Sequence, residues 1–310
     1  MHRVVKVAKL YYQLDYSQQE IAKELGISRP SVSRLLQEAK EKGVVEIKIN
    51  DINEKEQKNA ELIKERFGLK ECMIVNAPKN DDFIIKKYLG SKGAEYLSEI
   101  VTEGDIIGLT WGTTIFEVAK NMTPKQVHNV QVVQLNGGVS HSETNTFASE
   151  IINYLGASFH TIPYFLPLPA IVERAEIKQM IVSDRHISSL LKLARKANIA
   201  LFTVGDRHED STLNKAGYFN EVDMQTLKDK KAVGDICSRF FTINGEVCSE
   251  ELNARTIGID LHLLGEKETS VLIAGGSRKF NSIVGALNGA YANVLITDNY
   301  TAEALIEKFT

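Results

Sequence analysis

The residues best suited to chemistry lie in three short loops, each of which follows a run of β-branched residues that predicts a strand. These loops span residues 110–114, 136–140 and 275–279. The first ends in Gly112, Thr113 and Thr114 at the start of a predicted helix, where hydroxyls and backbone N–H groups bind phosphate. Each loop alone fits an ordinary glycine-rich turn. Together they predict a pocket for an anionic, phosphorylated small molecule.

Other residues of this predicted pocket supply close approach, hydrogen bonds and charge. Gly137 and Gly138 lack side chains and therefore let a ligand come close to the backbone. Asn136, just before them, can hydrogen-bond to a ligand, and Lys279 adds a cation. Asp235 follows a turn glycine and can accept hydrogen bonds from sugar hydroxyls, although it fits the cap of a turn nearly as well.

The elements that would position these loops alternate along the chain. Short apolar runs that predict strands alternate with stretches that predict helices from Cys72 onward. The predicted strands are 72–75, 106–109, 130–135, 159–162, 199–204, 256–260, 270–274 and 293–297. Such alternation is typical of an α/β fold with a doubly wound parallel sheet. Ligands of these sheets bind beyond the carboxyl ends of the strands, where the three loops lie.

A second polar group lies near the N-terminus, in a pattern that predicts a helix-turn-helix. The pattern covers residues 17–42. Ser17 with Glu20 forms a capping box that begins the first helix, and Gly26 suits its left-handed end. Ser28 can cap the second helix, and Pro30 falls in its first turn, where a missing N–H costs little. The turn between the two helices is therefore three residues long.

The second helix of this pattern presents a polar face suited to the major groove of DNA. The predicted DNA-binding residues are Ser17, Gln18, Ser28, Arg29, Ser31, Ser33, Arg34 and Gln37. Arginine pairs with guanine, glutamine pairs with adenine, and serine bonds phosphates or base edges. The alternative is an ordinary helical hairpin with a solvated basic face. The cap, the turn glycine and the absence of acids over 29–37 favour a DNA reader.

Flanking segments complete this small domain. Val4, Ala8, Tyr11 and Tyr12 keep helical spacing and predict a third helix that closes the core. The alternation over 45–49 predicts a short strand after the second helix of the pattern. The expected arrangement is a compact winged or strand-backed helix-turn-helix.

Length and charge indicate two domains. We expect a DNA-binding domain at 1–52, a linker helix at 53–69, and an effector and oligomerisation domain at 70–310. Residues 1–49 contain nine Lys or Arg against six Asp or Glu, whereas the remainder contains 28 against 34. This asymmetry has the sign expected if only the N-terminal domain meets phosphates of DNA.

Several classes of protein are excluded by what the sequence lacks. No apolar run approaches the roughly 20 residues needed to cross a bilayer, and no signal-peptide core begins the chain, so we expect a cytoplasmic protein without membrane contact. The three cysteines form no C-x-x-C pattern and the histidines form no H-x-x-x-H pair. We therefore expect no metal and no cofactor.

These stretches, in this order, resemble the SorC family of bacterial sugar-responsive regulators, in its deoxyribonucleoside-regulator branch. The resemblance covers essentially the full length. The stretches that carry it are LYYQLDYSQQEIAKELGISRPSVSRLLQEAKEKGVVEI, GDIIGLTWGTT, VVQLNGG, LPLPAIV, NIALFTVG, GYFN, AVGDICSRFF, RTIGI and AGGSRK.

The resemblance implies a repressor that binds operator DNA and releases it when a phosphorylated sugar binds. The implied sensor domain is similar to phosphosugar isomerases, and the implied assembly is a homodimer or homotetramer. Phosphate binding is implied for Gly112, Thr113 and Thr114, with Lys279 as a helper. Sugar binding is implied for Asn136, Gly137, Gly138 and Asp235. The implied effector is deoxyribose 5-phosphate, and the implied target is an operon for deoxyribonucleoside catabolism.

One residue departs from the pattern of close relatives, which can carry lysine immediately before the glycine pair. A neutral lysine there could form a Schiff base with an aldehyde sugar, whereas Asn136 can only hydrogen-bond. Recognition is therefore non-covalent here, or the effector differs.

Two rival functions stay open. One is an isomerase-like enzyme fused to a DNA-binding head, although no second acid or Schiff-base lysine accompanies Asp235 in the loops. We therefore expect no catalysis. The other is a constitutive DNA-binding protein whose large domain only dimerises.

Overall fold

The computed structural model describes residues 2–45, 54–138, 145–207, 212–215 and 217–309. The chain divides into two units, Met1–Ile52 and Asn53–Thr310. The strand predicted over 45–49 falls almost wholly outside the described residues, and its one described residue, Val45, belongs to no strand. Residues 139 and 140 of the second predicted loop also lie outside them.

Three helices make up the described part of the first unit, and their ends follow the local sequence. They are α1 (His2–Tyr12), α2 (Gln18–Leu25) and α3 (Arg29–Glu41). Ser17 and Glu20 form the predicted capping box, and Gly26 ends α2 with φ 63° in the left-handed region. Ser28 caps α3, with Pro30 in its first turn. The structure confirms each of these predicted helix ends. Each depends only on neighbours within three residues.

The core of the first unit joins all three helices. Val7 of α1, Ile21 of α2 and Val32 of α3 are completely buried against one another, and Leu36 adds a fourth contact. Burial of such side chains stabilises a small domain by about 1.5–3 kcal/mol each. The opposite face of α3 is left to solvent.

The second unit alternates strands and helices, as the sequence predicts. Its strands are β1 (Glu71–Val75), β2 (Ile106–Leu109), β3 (Gln131–Gln134), β4 (Ile199–Phe202), β5 (Gly205–Asp206), β6 (Gly234–Ile236), β7 (Arg239–Phe241), β8 (Thr269–Ile273) and β9 (Val294–Asp298). Its helices are α4 (Glu54–Phe67), α5 (Asp82–Ile100), α6 (Thr113–Asn121), α7 (Ala148–Ser158), α8 (Ala175–Ser183), α9 (Arg185–Lys196), α10 (Thr212–Lys215), α11 (Glu221–Asp229), α12 (Glu250–Arg255), α13 (His262–Gly265), α14 (Phe280–Asn288) and α15 (Asn299–Phe309). No helix among the described residues has the length and apolar character needed to cross a bilayer.

Six of these strands form a parallel sheet in the order β1-β9-β8-β4-β2-β3. Alternate residues of β4 lie in different apolar clusters: Ile199 and Leu201 in one, Ala200 and Phe202 in the other. Because successive strand residues point to opposite faces, the sheet is buried on both sides. The predicted doubly wound α/β fold is confirmed.

Helix α4, predicted as a linker, contributes Ile63 to the core of the second unit. Ile63 is 1% exposed and lies in the same cluster as Leu69. The helix is therefore structurally part of the larger unit.

Two predicted strands are wrong. In the first, residues 159–162, Phe159 is the C-cap of α7 and His160 has φ 51°. The N–H of Thr161 donates to the Gly156 carbonyl, so these residues end a helix. The run 256–260 makes only isolated bridges at Thr256 and Gly258. There, the buried guanidinium of Arg239 occupies carbonyls that a neighbouring strand would otherwise bond.

Candidate functional site

A cavity of about 270 Å³ lies at the carboxyl edge of the parallel sheet. Loops that follow β2, β3, β4 and β8 converge there, as expected for parallel strands that end at one edge. The sequence-predicted residues that line it are Gly112, Thr113, Asn136, Asp235 and Lys279. The fold therefore brings together one residue set that is spread over nearly 170 positions of the chain.

The first turn of α6 borders the cavity. Gly112, with φ 126°, precedes α6 without any side-chain cap, and its carbonyl accepts the N–H of Phe116 at 2.9 Å. The N–H groups of the helix before Phe116 have no intrahelical acceptor, which is the usual condition of a first turn. Such a turn binds phosphate through its N–H groups and its dipole.

Lys279 adds a cation to this cavity. Its Nζ lies 3.4 Å from the Thr203 hydroxyl oxygen. Burial, together with the nearby cation Lys86, lowers the pKa of Lys279 to about 8 against the opposing effects of Asp206, Asp82 and Asp235. An incoming phosphate would favour the charged form of this lysine, because an opposite charge stabilises it.

Asp235 faces the same cavity from a small antiparallel sheet of β5, β6 and β7. Burial raises the pKa of Asp235 to about 7, against the opposing effects of the Ser238 N–H and Lys279. Cys237 and Ser238 form the two-residue turn between β6 and β7 with φ of 52° and 64°, a conformation that disfavours residues other than glycine. This turn places the Ser238 N–H 3.1 Å from the Asp235 carboxylate.

Three buried side-chain oxygens along this cavity have no hydrogen-bond partner within the described chain. They are Thr110 Oγ1, Asn136 Oδ1 and Ser238 Oγ. A buried polar atom without a partner costs about 1–3 kcal/mol. These oxygens add hydrogen-bonding groups to the wall of one cavity.

The other predicted residues pack against protein instead of lining the cavity. A Cβ on Gly137 would lie 2.4 Å from the Pro169 carbonyl oxygen, and one on Gly138 would lie 2.7 Å from the Trp111 ring. The close approach that these glycines permit is therefore to the protein's own chain. Thr114 is 1% exposed and belongs to the buried face of α6.

Trp111 serves both the cavity and the core. It lines the cavity, and its Nε1 donates to the Gly137 carbonyl at 2.8 Å. The tryptophan thus ties the loop after β2 to the loop after β3.

Several cavity residues are missed by the sequence reasoning. Thr203 lies inside the strand predicted over 199–204, but it borders the cavity because β4 ends at Phe202. Asp206, Ser238 and Asp82 carry no comparable signal, because other elements bring them in. Two further acids, Asp82 of α5 and Asp206 of β5, line the same cavity from outside the three predicted loops.

The raised pKa of Asp235 predicts a pH-dependent effect on stability. The folded protein holds this proton up to about pH 7, whereas an unfolded carboxyl loses it near 3.8. Stability therefore falls as pH rises between these values, by at most roughly 4 kcal/mol at about 1.4 kcal/mol per unit. We expect Asp235→Asn to be more stable than the wild type at pH 8, with a smaller difference at pH 5.

Urea unfolding at both pH values measures this difference. Asp229→Asn is the matched control because Asp229 is exposed at the end of α11. Equal pH dependence of the wild type and Asp235→Asn would contradict the assignment of Asp235 as the titrating group.

The predicted DNA-binding residues lie on α2, on α3 and at their caps. Arg29, Ser33 and Arg34 are exposed along α3. The hydroxyls of Ser17 and Ser28 are engaged as caps, at 3.3 Å from the N–H groups of Glu20 and Ser31. These two serines therefore position the helices, and their hydroxyl oxygens are already occupied.

A groove between the helices is bordered by three of the predicted residues. Gln18, Ser33 and Gln37 border it together with Lys40, which the sequence reasoning missed. Lys40 lies three positions after Gln37, at helical spacing, and adds a cation to this face. Gln37 donates to Glu41 at 3.1 Å, a bond that base contact would have to replace.

Comparisons with known families agree with this division of the chain. Residues 52–307 match the model of the Sugar-bind family, a sugar-binding domain. Residues 5–54 match a Crp-like helix-turn-helix domain.

Full-length relatives share the same organisation. The chain is 51% identical over 302 residues to the deoxyribonucleoside regulator of Bacillus subtilis (strain 168), covering 97% of this chain and 96% of that protein. It is 31% identical to the sorbitol operon regulator of Klebsiella pneumoniae, covering 98% and 97%. The crystal structure of that full-length regulator, SorC, superposes with a TM-score of 0.78 over 98% of each chain at 30% identity.

Proposed function

The chain belongs to the SorC family of transcriptional regulators, and from that premise we propose that it represses a sugar or deoxyribonucleoside catabolic operon until a phosphorylated sugar binds. The N-terminal unit reads the operator, and the cavity at the sheet edge receives the effector. Occupancy of the cavity, without turnover, sets the affinity for DNA.

The observation that carries this proposal is the chemistry of the cavity. The first turn of α6, which has no side-chain cap, and the cation Lys279 suit a phosphate. The unpartnered oxygens of Thr110, Asn136 and Ser238 suit hydroxyl groups. A phosphorylated sugar is the small metabolite that combines both groups.

Deoxyribose 5-phosphate is the effector that we propose. It is a phosphorylated aldehyde sugar, and the Bacillus subtilis relative is named for deoxyribonucleosides. Asn136 makes recognition non-covalent, because an amide does not form a Schiff base with an aldehyde.

Release of DNA requires that the effector bind the non-DNA-binding arrangement more tightly. A ligand with equal affinity for both arrangements shifts neither. We propose that the second unit assembles into a homodimer or homotetramer, since paired heads match palindromic or repeated operator sites.

A melting screen followed by an operator-release assay tests the proposal. A ligand at a hundredfold excess over its Kd stabilises the folded state by about 2.7 kcal/mol. We expect deoxyribose 5-phosphate to raise the Tm by several degrees and to release operator DNA, and unphosphorylated deoxyribose to do neither. If no phosphorylated pentose or hexose changes the Tm, the large unit has no such effector and serves assembly alone.

One observation favours a second candidate, an isomerase-like enzyme. Asp82, Asp206 and Asp235 share the cavity with Lys279, and acid–base catalysis needs such groups. Incubation with ribose, glucosamine and deoxyribose phosphates separates the two functions, since an enzyme converts many equivalents of substrate and a sensor converts none.

A further inference from the structure

A second recess, which shares Arg278 with the effector cavity, contains four cationic side chains. Arg207, Lys228, Lys231 and Arg278 line an opening of about 430 Å³. They come from three segments of the chain: the residue after β5, the end of α11, and the turn before α14. No acidic side chain lines this opening among the residues that the structure describes.

This concentration of positive charge contrasts with the net negative charge of the chain beyond residue 49. The chain beyond residue 49 contains 28 Lys or Arg and 34 Asp or Glu. Like charges that share one recess repel each other and favour a bound anion. Arg278 also pairs with Asp206, at 3.4 Å, and borders both the recess and the effector cavity.

The backbone of Lys231 supplies an independent observation. Helix α11 ends in a Schellman motif, with the N–H of Ala232 bonded to Leu227 and that of Lys231 bonded to Lys228. Lys231 occupies the left-handed position of this motif, with φ 54°. Glycine is preferred there, so lysine lowers the stability of the turn while it places a cation at the recess.

We propose that this recess is a second anion site, which binds a small metabolite carrying two or more phosphoryl groups. Arginine binds phosphate oxygens in pairs, and lysine supplies point charges around them. Four cations, one of them paired with Asp206, balance the charge of a polyphosphate better than that of a single phosphate. The site adjoins the effector cavity at Arg278, and the proposal does not rest on the proposed effector.

Tripolyphosphate is the probe, titrated into the full-length protein by calorimetry at constant ionic strength. We expect saturable binding that weakens about tenfold or more in Lys228→Ala and in Lys231→Gly. Lys230→Ala is the matched control, because Lys230 is an exposed neighbour that does not line the recess. We expect wild-type affinity in that variant.

Lys231→Gly carries a second readout. Because glycine relieves the left-handed backbone, this variant should melt about 2 °C higher than the wild type although it binds the probe more weakly. A lower affinity together with a higher Tm shows that the lost binding does not come from misfolding.

Four results would overturn the proposal. Absence of saturable binding removes the site, and an equal loss in Lys230→Ala shows general charge attraction. Loss in Lys279→Ala alone places the probe in the effector cavity. Weaker binding of random duplex DNA by Lys231→Gly assigns the recess to DNA phosphates. Failure here leaves effector release intact, whereas failure of the proposed effector leaves tripolyphosphate binding intact.

Discussion

Lys279→Ala should leave operator binding unchanged and raise the effector concentration needed for release by roughly a hundredfold. Lys279 lines the effector cavity beside the first turn of α6, where a phosphate would accept its hydrogen bonds. Charge-assisted bonds of this kind contribute about 1.5–3 kcal/mol each. Thr113→Ala should weaken release less, because it removes a neutral hydroxyl at the same helix end.

Operator release, followed by fluorescence anisotropy as deoxyribose 5-phosphate is added, measures this effect. Lys87→Ala is the matched control, since Lys87 is exposed on α5 next to the cavity residue Lys86 and does not line the cavity. Release of both Lys279→Ala and Thr113→Ala at the wild-type effector concentration would place the effector elsewhere.

Arg29→Ala and Arg34→Ala should each weaken operator binding by about 1–3 kcal/mol, which is roughly fivefold to more than a hundredfold. Both arginines are exposed on α3, and the N-terminal residues of such a helix reach the base edges. A base contact relaxes sequence preference when it is lost. Loss of a phosphate contact lowers the affinity for all sequences and reduces the salt dependence by about one counterion.

Titration of operator and random duplex at several salt concentrations distinguishes these two roles. Lys42→Ala is the control on the same helix, because Lys42 follows the last turn of α3 and pairs with Glu38 at 2.5 Å. Operator affinity that stays at the wild-type value in both arginine variants would remove α3 as the reading helix.

Local features of this fold follow directly from the sequence. The capping box of Ser17 and Glu20, the left-handed Gly26 and the Ser28 cap form within three or four residues, so short patterns are sufficient to predict them. Most strands of the large sheet can also be predicted from the sequence, because strands that are buried on both faces consist of near-continuous hydrophobic runs.

Predictions from short patterns are wrong where residues distant in sequence make the deciding contacts. The run 256–260 has the pattern of a strand, yet Arg239 of β7 donates hydrogen bonds to its carbonyls. Gly137 and Gly138 read as ligand contacts, yet Pro169 and Trp111 occupy the space beside them. In both cases the deciding atom lies far away in sequence.

The sequence by itself therefore determined the helix-turn-helix, the doubly wound sheet and the edge of that sheet at which a ligand would sit. Only the tertiary structure decided which side chains face the cavity, because the antiparallel β5–β7 sheet brings in Asp206 and Ser238. Only the tertiary structure also gathers the four cations of the second recess from three segments. Hydrogen bonds between near neighbours follow from short stretches of sequence. The burial of a side chain, the charge around it and the space beside it depend on residues that only folding brings together.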